Sequence, residues 1–142
     1  MTSIVKPWFI ISALFLNLLI FGFFGLQGVI DQIGYLKNYE IFRGSTLFSL
    51  RSWVWIFGML IIAIVSLAGL FKMRWPAIVS TLAGICFFLF MTYGYIDWYF
   101  DPMEQGRNGG VLYFALITLG LAGLNLISFI TLLKRRYNNE AK

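Results

Sequence analysis

The sequence predicts an all-α integral membrane protein: four transmembrane helices in an up-down-up-down bundle, both termini cytoplasmic, with a short amphipathic segment in the first external loop. Three observations carry this reading. Stretches without a charged residue separate Lys6 from Asp31 (24 residues), Arg51 from Lys72 (20), Arg74 from Asp97 (22) and Arg107 from Lys134 (26). Each matches the roughly 20 apolar residues that a helix needs to cross about 30 Å of hydrocarbon. Hydrophobic residues make up 60% of the chain and charged ones 12%, against about 45–50% and about 25% in soluble domains. Trp8, Trp53, Trp55, Trp75 and Trp98 all stand near the ends of these stretches, where an indole can satisfy its N–H at the headgroup level.

The 142 residues form one domain with spans at about 7–30, 52–71, 75–96 and 108–133. The first span opens at Pro7, where a missing N–H costs a helix nothing. Its 24 apolar residues exceed the roughly 7–15 of a signal-peptide core, so it is expected to stay as an anchor. Residues 31–42 place Tyr35, Leu36, Tyr39 and Phe42 on one helical face, with Lys37, Asn38 and Glu40 largely away from it. That pattern suits a short helix lying along the interface. Ser45 or Thr46 can cap an early start of the second span, and the charged turn Lys72-Met73-Arg74 then forces the second and third spans to be antiparallel neighbours. Pro76 opens the third. Asp101-Pro102 with Gly106, Gly109 and Gly110 marks the return into the fourth.

Orientation follows from basic residues, because short Lys- and Arg-rich segments stay in the cytoplasm. One side holds Lys6, Lys72, Arg74, Lys134, Arg135, Arg136 and Lys142, seven basic residues in 18 positions. The other holds Lys37, Arg43, Arg51 and Arg107 in 32 positions, with five of the six acids. Both termini are therefore expected inside. The net charge of +5 reads as a topology signal and a lipid contact, with Lys134, Arg135 and Arg136 against anionic headgroups. A nucleic-acid partner is not expected, since no soluble basic face is available to carry one.

Helices in lipid gain little hydrophobic energy from contact, so small and polar residues mark the faces that meet. Ala115, Thr118, Ala122 and Asn125 form such a stripe in the fourth span, and Ala77, Ser80, Thr81 and Gly84 in the third. Gly58, Ala63, Ser66 and Gly69 thin the second, and Gly22, Gly25 and Gly28 the first. Asn17 and Asn125 are the amides nearest the middle of any span. A buried amide in hydrocarbon needs a partner, either across helices or along a polar path for an ion or small solute.

The chain has no His and a single cysteine, Cys86. This excludes imidazole-based zinc and haem sites, Ser-His-Asp catalysis and internal disulfides. No span carries an ionisable group near its middle, which proton-coupled transport usually requires. Asp97, Asp101 and Glu104 have the spacing of hard-cation ligands, but three acids in an aromatic loop are expected to be solvated, so no metal and no cofactor are assigned. The aromatic run from Tyr93 to Phe100, with Trp98 between Asp97 and Asp101, suits a headgroup belt or a protein partner. Tyr35, Tyr39, Phe42, Asp97, Trp98 and Asp101 together form the candidate external surface. The expected function is non-enzymatic: an accessory, assembly or regulatory subunit of a larger complex in the cell membrane, partnered by the bilayer and by another membrane protein or a second copy. A homo-oligomeric channel or transporter is the alternative.

Overall fold

The computed structural model describes residues 8–37, 50–71, 73–100 and 109–140. Four helices account for them: α1 (Trp8–Lys37), α2 (Leu50–Leu70), α3 (Arg74–Phe100) and α4 (Gly109–Glu140). Each contains a segment long and apolar enough to cross a membrane, namely Trp8–Gly34, Ser52–Leu70, Arg74–Phe100 and Gly110–Lys134. Even the shortest, 19 residues, reaches about 28 Å at 1.5 Å per residue, close to the hydrocarbon thickness. The outward faces are apolar, with Phe15 and Phe23 on α1, Val54 and Ile61 on α2, Val79 and Phe90 on α3, and Leu116 and Ile117 on α4 all exposed. So much contiguous apolar surface is stable in lipid and not in water. The fold is that of a helical membrane protein.

Named contacts fix how the helices run. Gly28 of α1 lies against Ile56 of α2 and Gly25 against Leu60, while Gly22 faces Ala63. Rising numbers on one helix meet falling numbers on the other, so the pair is antiparallel. The same inversion relates α2 to α3, through Gly69 on Ala77, Ser66 on Ser80 and Trp55 on Phe90. It also relates α3 to α4, through Gly84 on Asn125, Thr92 on Thr118 and Tyr95 on Phe114. Helices α1 and α3 run parallel, as Asn17 meets Ser80 and Phe21 meets Phe88. The α2 and α3 backbones approach closely at Gly69, where a Cβ would stand 3.0 Å from the Ala77 Cα and 3.1 Å from its N. This is why the tight turn after α2 can fold back directly onto α3.

A buried apolar cluster lies at the end of the molecule that carries this turn. Ile10, Leu14, Ala77, Ile78 and Leu132 form one buried cluster, with Leu70 and Phe129 against it. There the Arg74 Nη2 donates to the Leu132 carbonyl at 3.2 Å, tying the start of α3 to the last turns of α4.

Three helix ends lie beyond the sequence-based expectation. Helix α1 runs through Lys37, so Asp31–Lys37 continue it instead of beginning a separate amphipathic segment; residues 38–42 lie outside the described part. The physical reason is the lack of a stop signal. No proline intervenes, and the Gln27 Nε2 donates to the Asp31 Oδ1 at 3.0 Å, one turn apart, across the expected boundary. Likewise α3 continues through Phe100, four residues past the expected end at 96, and α4 through Glu140, seven past the expected end at 133.

Candidate functional site

The centre of the molecule holds a polar cluster to which every helix contributes. Asn17 comes from α1, Ser66 from α2, Ser80 and Gly84 from α3, and Asn125 from α4. All four polar side chains are 0% exposed. They meet because each lies on its helix's stripe of small residues, which faces inward: Ala13, Ala63, Ala77, Thr81, Ala115, Ala122 and Ser128 are buried too. Small side chains bring the backbones close, and closeness lets short polar side chains reach across.

The two amides bond reciprocally. The Asn17 Nδ2 donates to the Asn125 Oδ1 at 2.8 Å, and the Asn125 Nδ2 donates back to the Asn17 Oδ1 at 3.2 Å. The second hydrogen of Asn125 goes to the Leu121 carbonyl at 2.9 Å, one turn back on its own helix. The second hydrogen of Asn17 is shared between the Ser80 carbonyl and the Ser80 Oγ, each at 3.1 Å. The Ser66 and Ser80 hydroxyls stand 2.7 Å apart. Since the Ser66 hydroxyl donates to the Ile62 carbonyl at 2.7 Å, the proton between them belongs to Ser80. The bonds therefore run from Asn17 to Ser80 to Ser66 and end on a backbone carbonyl. Every donor of the four side chains has an acceptor, the condition under which a buried polar network stabilises a low-dielectric interior.

Gly84 makes room for this. A Cβ there would stand 2.5 Å from the Asn125 Oδ1, 2.7 Å from its Cγ and 2.9 Å from the Asn17 Nδ2. The amide pair lies flat on bare α3 backbone, in the space that any other side chain would occupy.

Two weaker clasps flank the centre. The Ser128 hydroxyl donates towards the Phe9 carbonyl at 3.0 Å and the Leu124 carbonyl at 2.8 Å, joining α4 to the start of α1. Thr92 and Thr118 pair at 2.8 Å between α3 and α4, while each also reaches a carbonyl of its own helix, Phe88 at 2.7 Å and Phe114 at 3.0 Å. Thr118 is half-buried, and the local carbonyls can absorb either hydroxyl. We therefore expect Thr118→Val to lower stability by only about 0.6 kcal/mol, read by reversible unfolding in bicelles; a loss above about 2 kcal/mol would show that this clasp matters more than its geometry allows.

The other sequence-predicted residues stay apart from this cluster. Asp97 and Trp98 are exposed near the end of α3, and Tyr35 lies in the last turn of α1. Tyr39, Phe42, Asp101 and Glu104 fall outside the described residues, and with them most of the candidate cation ligands. Lys134 is exposed on α4, and Arg135 and Arg136 continue that helix. Cys86 is exposed on the outward side of α3. Among the described residues, no group of three His, Cys, Asp or Glu side chains converges as metal ligands would. Ser66 and Ser80 stand on the small and polar stripes that the sequence marks as contact faces, but nothing in their spacing identifies Ser80 as the bonding partner of Asn17, or Ser66 as that of Ser80. No family model, curated protein or solved structure matches this chain.

Proposed function

We propose that this protein is a non-enzymatic, multi-pass accessory subunit that assembles with, stabilises or regulates a larger complex in the cell membrane, with both termini cytoplasmic. One observation carries the reading. The mid-span polar side chains, Asn17, Ser66, Ser80 and Asn125, are fully buried and bonded to one another, so the outward faces offer neighbours apolar and aromatic surface and not a polar path. Such a molecule contributes a rigid shape to lipid and to other helices, and association in lipid depends on shape.

The alternative is a homo-oligomeric channel or transporter, which requires Asn17 and Asn125 to face a conduit. Sealed vesicles containing the purified full-length chain test this. The accessory reading expects proton, cation and small-solute leak equal to that of empty vesicles. A leak above that level which Asn17→Leu or Asn125→Leu abolishes would overturn it.

Orientation is tested separately. The antiparallel contacts put the start of α1, the turn after α2 and the end of α4 on one side, the side that carries Arg74 and Lys134. A reporter fused after Lys142 that is active only in the cytoplasm is expected to be active; activity of a reporter that works only outside would reverse the topology.

A further inference from the structure

The end of the molecule that carries the turn after α2 gathers positive charge from two helices. Arg74 opens α3 there, and Lys134, Arg135 and Arg136 lie in the late turns of α4. Of the described acids, Asp31 and Asp97 stand at the opposite end of the bundle. Glu140 lies eight residues past Leu132, about 12 Å along the helix. Arg74 is half-buried, and its Nη2 donates at 3.2 Å to the Leu132 carbonyl of α4. A neutral carbonyl accepts that hydrogen bond but leaves the charge uncompensated.

Helical register selects which α4 residues share this seam. Arg135 and Arg136 stand three and four residues after Leu132, on the next turn of the same face. Lys134 is turned by about 200° from Leu132 around the helix, and it is exposed where Leu132 is buried. We propose that Arg74, with Arg135 and Arg136 one turn past its contact on α4, binds the phosphate of an anionic phospholipid at the α3–α4 seam. Such a site differs from a general attraction of the basic tail to the leaflet, because it needs a residue of α3 and spares Lys134. It rests on the membrane-spanning fold and not on the accessory role.

Depth decides the source of the anion. Phe71, Met73 and Trp75 around Arg74 are all well exposed, so its guanidinium emerges among apolar side chains that belong in lipid. Trp75, like the exposed Trp8 at the start of α1, marks the headgroup level. There the abundant anion is a lipid phosphate. A guanidinium presents a planar fork that matches two phosphate oxygens at once, and basic pockets between membrane helices hold anionic headgroups in this way. Phosphatidylcholine fits less well, since its choline carries a cation into a region that already has an excess of them.

The test uses the full-length protein in nanodiscs of equal parts phosphatidylglycerol and phosphatidylcholine, released gently for native mass spectrometry of the lipids that stay bound. Retained phosphatidylglycerol is expected to exceed phosphatidylcholine. Arg74→Gln is expected to lower that ratio about fivefold, the effect of one basic residue at a membrane surface. Because Arg74 also holds Leu132, the pair Arg135→Gln and Arg136→Gln, beyond the apolar span, gives a second route: it is expected to lower the ratio at least as far while leaving the unfolding transition unchanged. Lys134→Gln, on the other side of α4, is expected to change the ratio much less. No preference for phosphatidylglycerol in the unaltered protein, an unchanged ratio in Arg74→Gln or in the Arg135, Arg136 pair, or a loss on Lys134→Gln equal to that on Arg74→Gln would overturn the proposal.

Discussion

Replacing Gly84 by alanine is expected to lower the stability of the protein by about 1–3 kcal/mol, an outsized effect for one methyl group on an apolar helix. The new Cβ would have to stand where the amide pair lies, 2.5 Å from the Asn125 Oδ1 and 2.9 Å from the Asn17 Nδ2. Neither neighbour is the free end of a flexible chain, because each amide is held at its other atoms by bonds to Ser80, Leu121 and its partner. Either α3 moves away from α1 and α4, at about 1–3 kcal/mol for overpacking, or the reciprocal bonds open, at about 0.6 kcal/mol each. Gly120 on α4 is the matched control, with no atom within 4 Å of an added Cβ, so Gly120→Ala should leave stability unchanged or raise it by up to about 1 kcal/mol. Reversible unfolding in bicelles measures both. Equal effects of the two substitutions would mean that the amide pair is not seated on Gly84.

The second large effect is non-additivity between the amides. Asn17→Leu removes a donor and an acceptor at once and leaves Asn125, 0% exposed, with an unsatisfied carbonyl oxygen and one idle N–H. Orphaning buried polar groups costs about 1–3 kcal/mol, and Asn125→Leu orphans Asn17 in the same way. The double substitution removes both sides and replaces them with apolar groups of similar size, so it should be much less destabilised than the two single changes added together. A coupling of about 1 kcal/mol or more, measured by the same unfolding experiment, is the expected result. Strict additivity would show that the two amides do not meet.

The spans were legible because ionised groups and tryptophans punctuate the chain where hydrocarbon gives way to water. Much of the cluster was legible as well. Asn17 lies nine residues after Trp8 and Asn125 nine before Lys134, which in antiparallel helices is the same depth. Ser66 and Ser80 stand symmetrically about the turn that starts at Phe71. What the residues alone did not reveal is azimuth: which of several small positions on α3 faces the amides depends on how α3 is rotated against α1 and α4 together. Ser80 and Gly84 share that task, one by bonding and the other by being absent. The end of α1 is not legible for a different reason. Tyr35 and Leu36 are amphipathic in either a continuing helix or a separate one, and only a break in the backbone hydrogen bonding would tell them apart. Gly58 shares its spacing with the packing glycines yet borders open space, since a helical repeat shows which residues share a face but not whether a neighbour covers it.

On the proposed function, the chain satisfies its own polar groups and offers its outer surface to a different membrane protein. Gentle detergent extraction of the tagged full-length chain at its native abundance, followed by identification of whatever accompanies it and the mass of the particle, tests this most directly. A different membrane protein in fixed stoichiometry, retained by Thr118→Val and lost on disrupting the amide pair with Gly84→Ala, is the predicted result. A particle made solely of copies of this chain would contradict it.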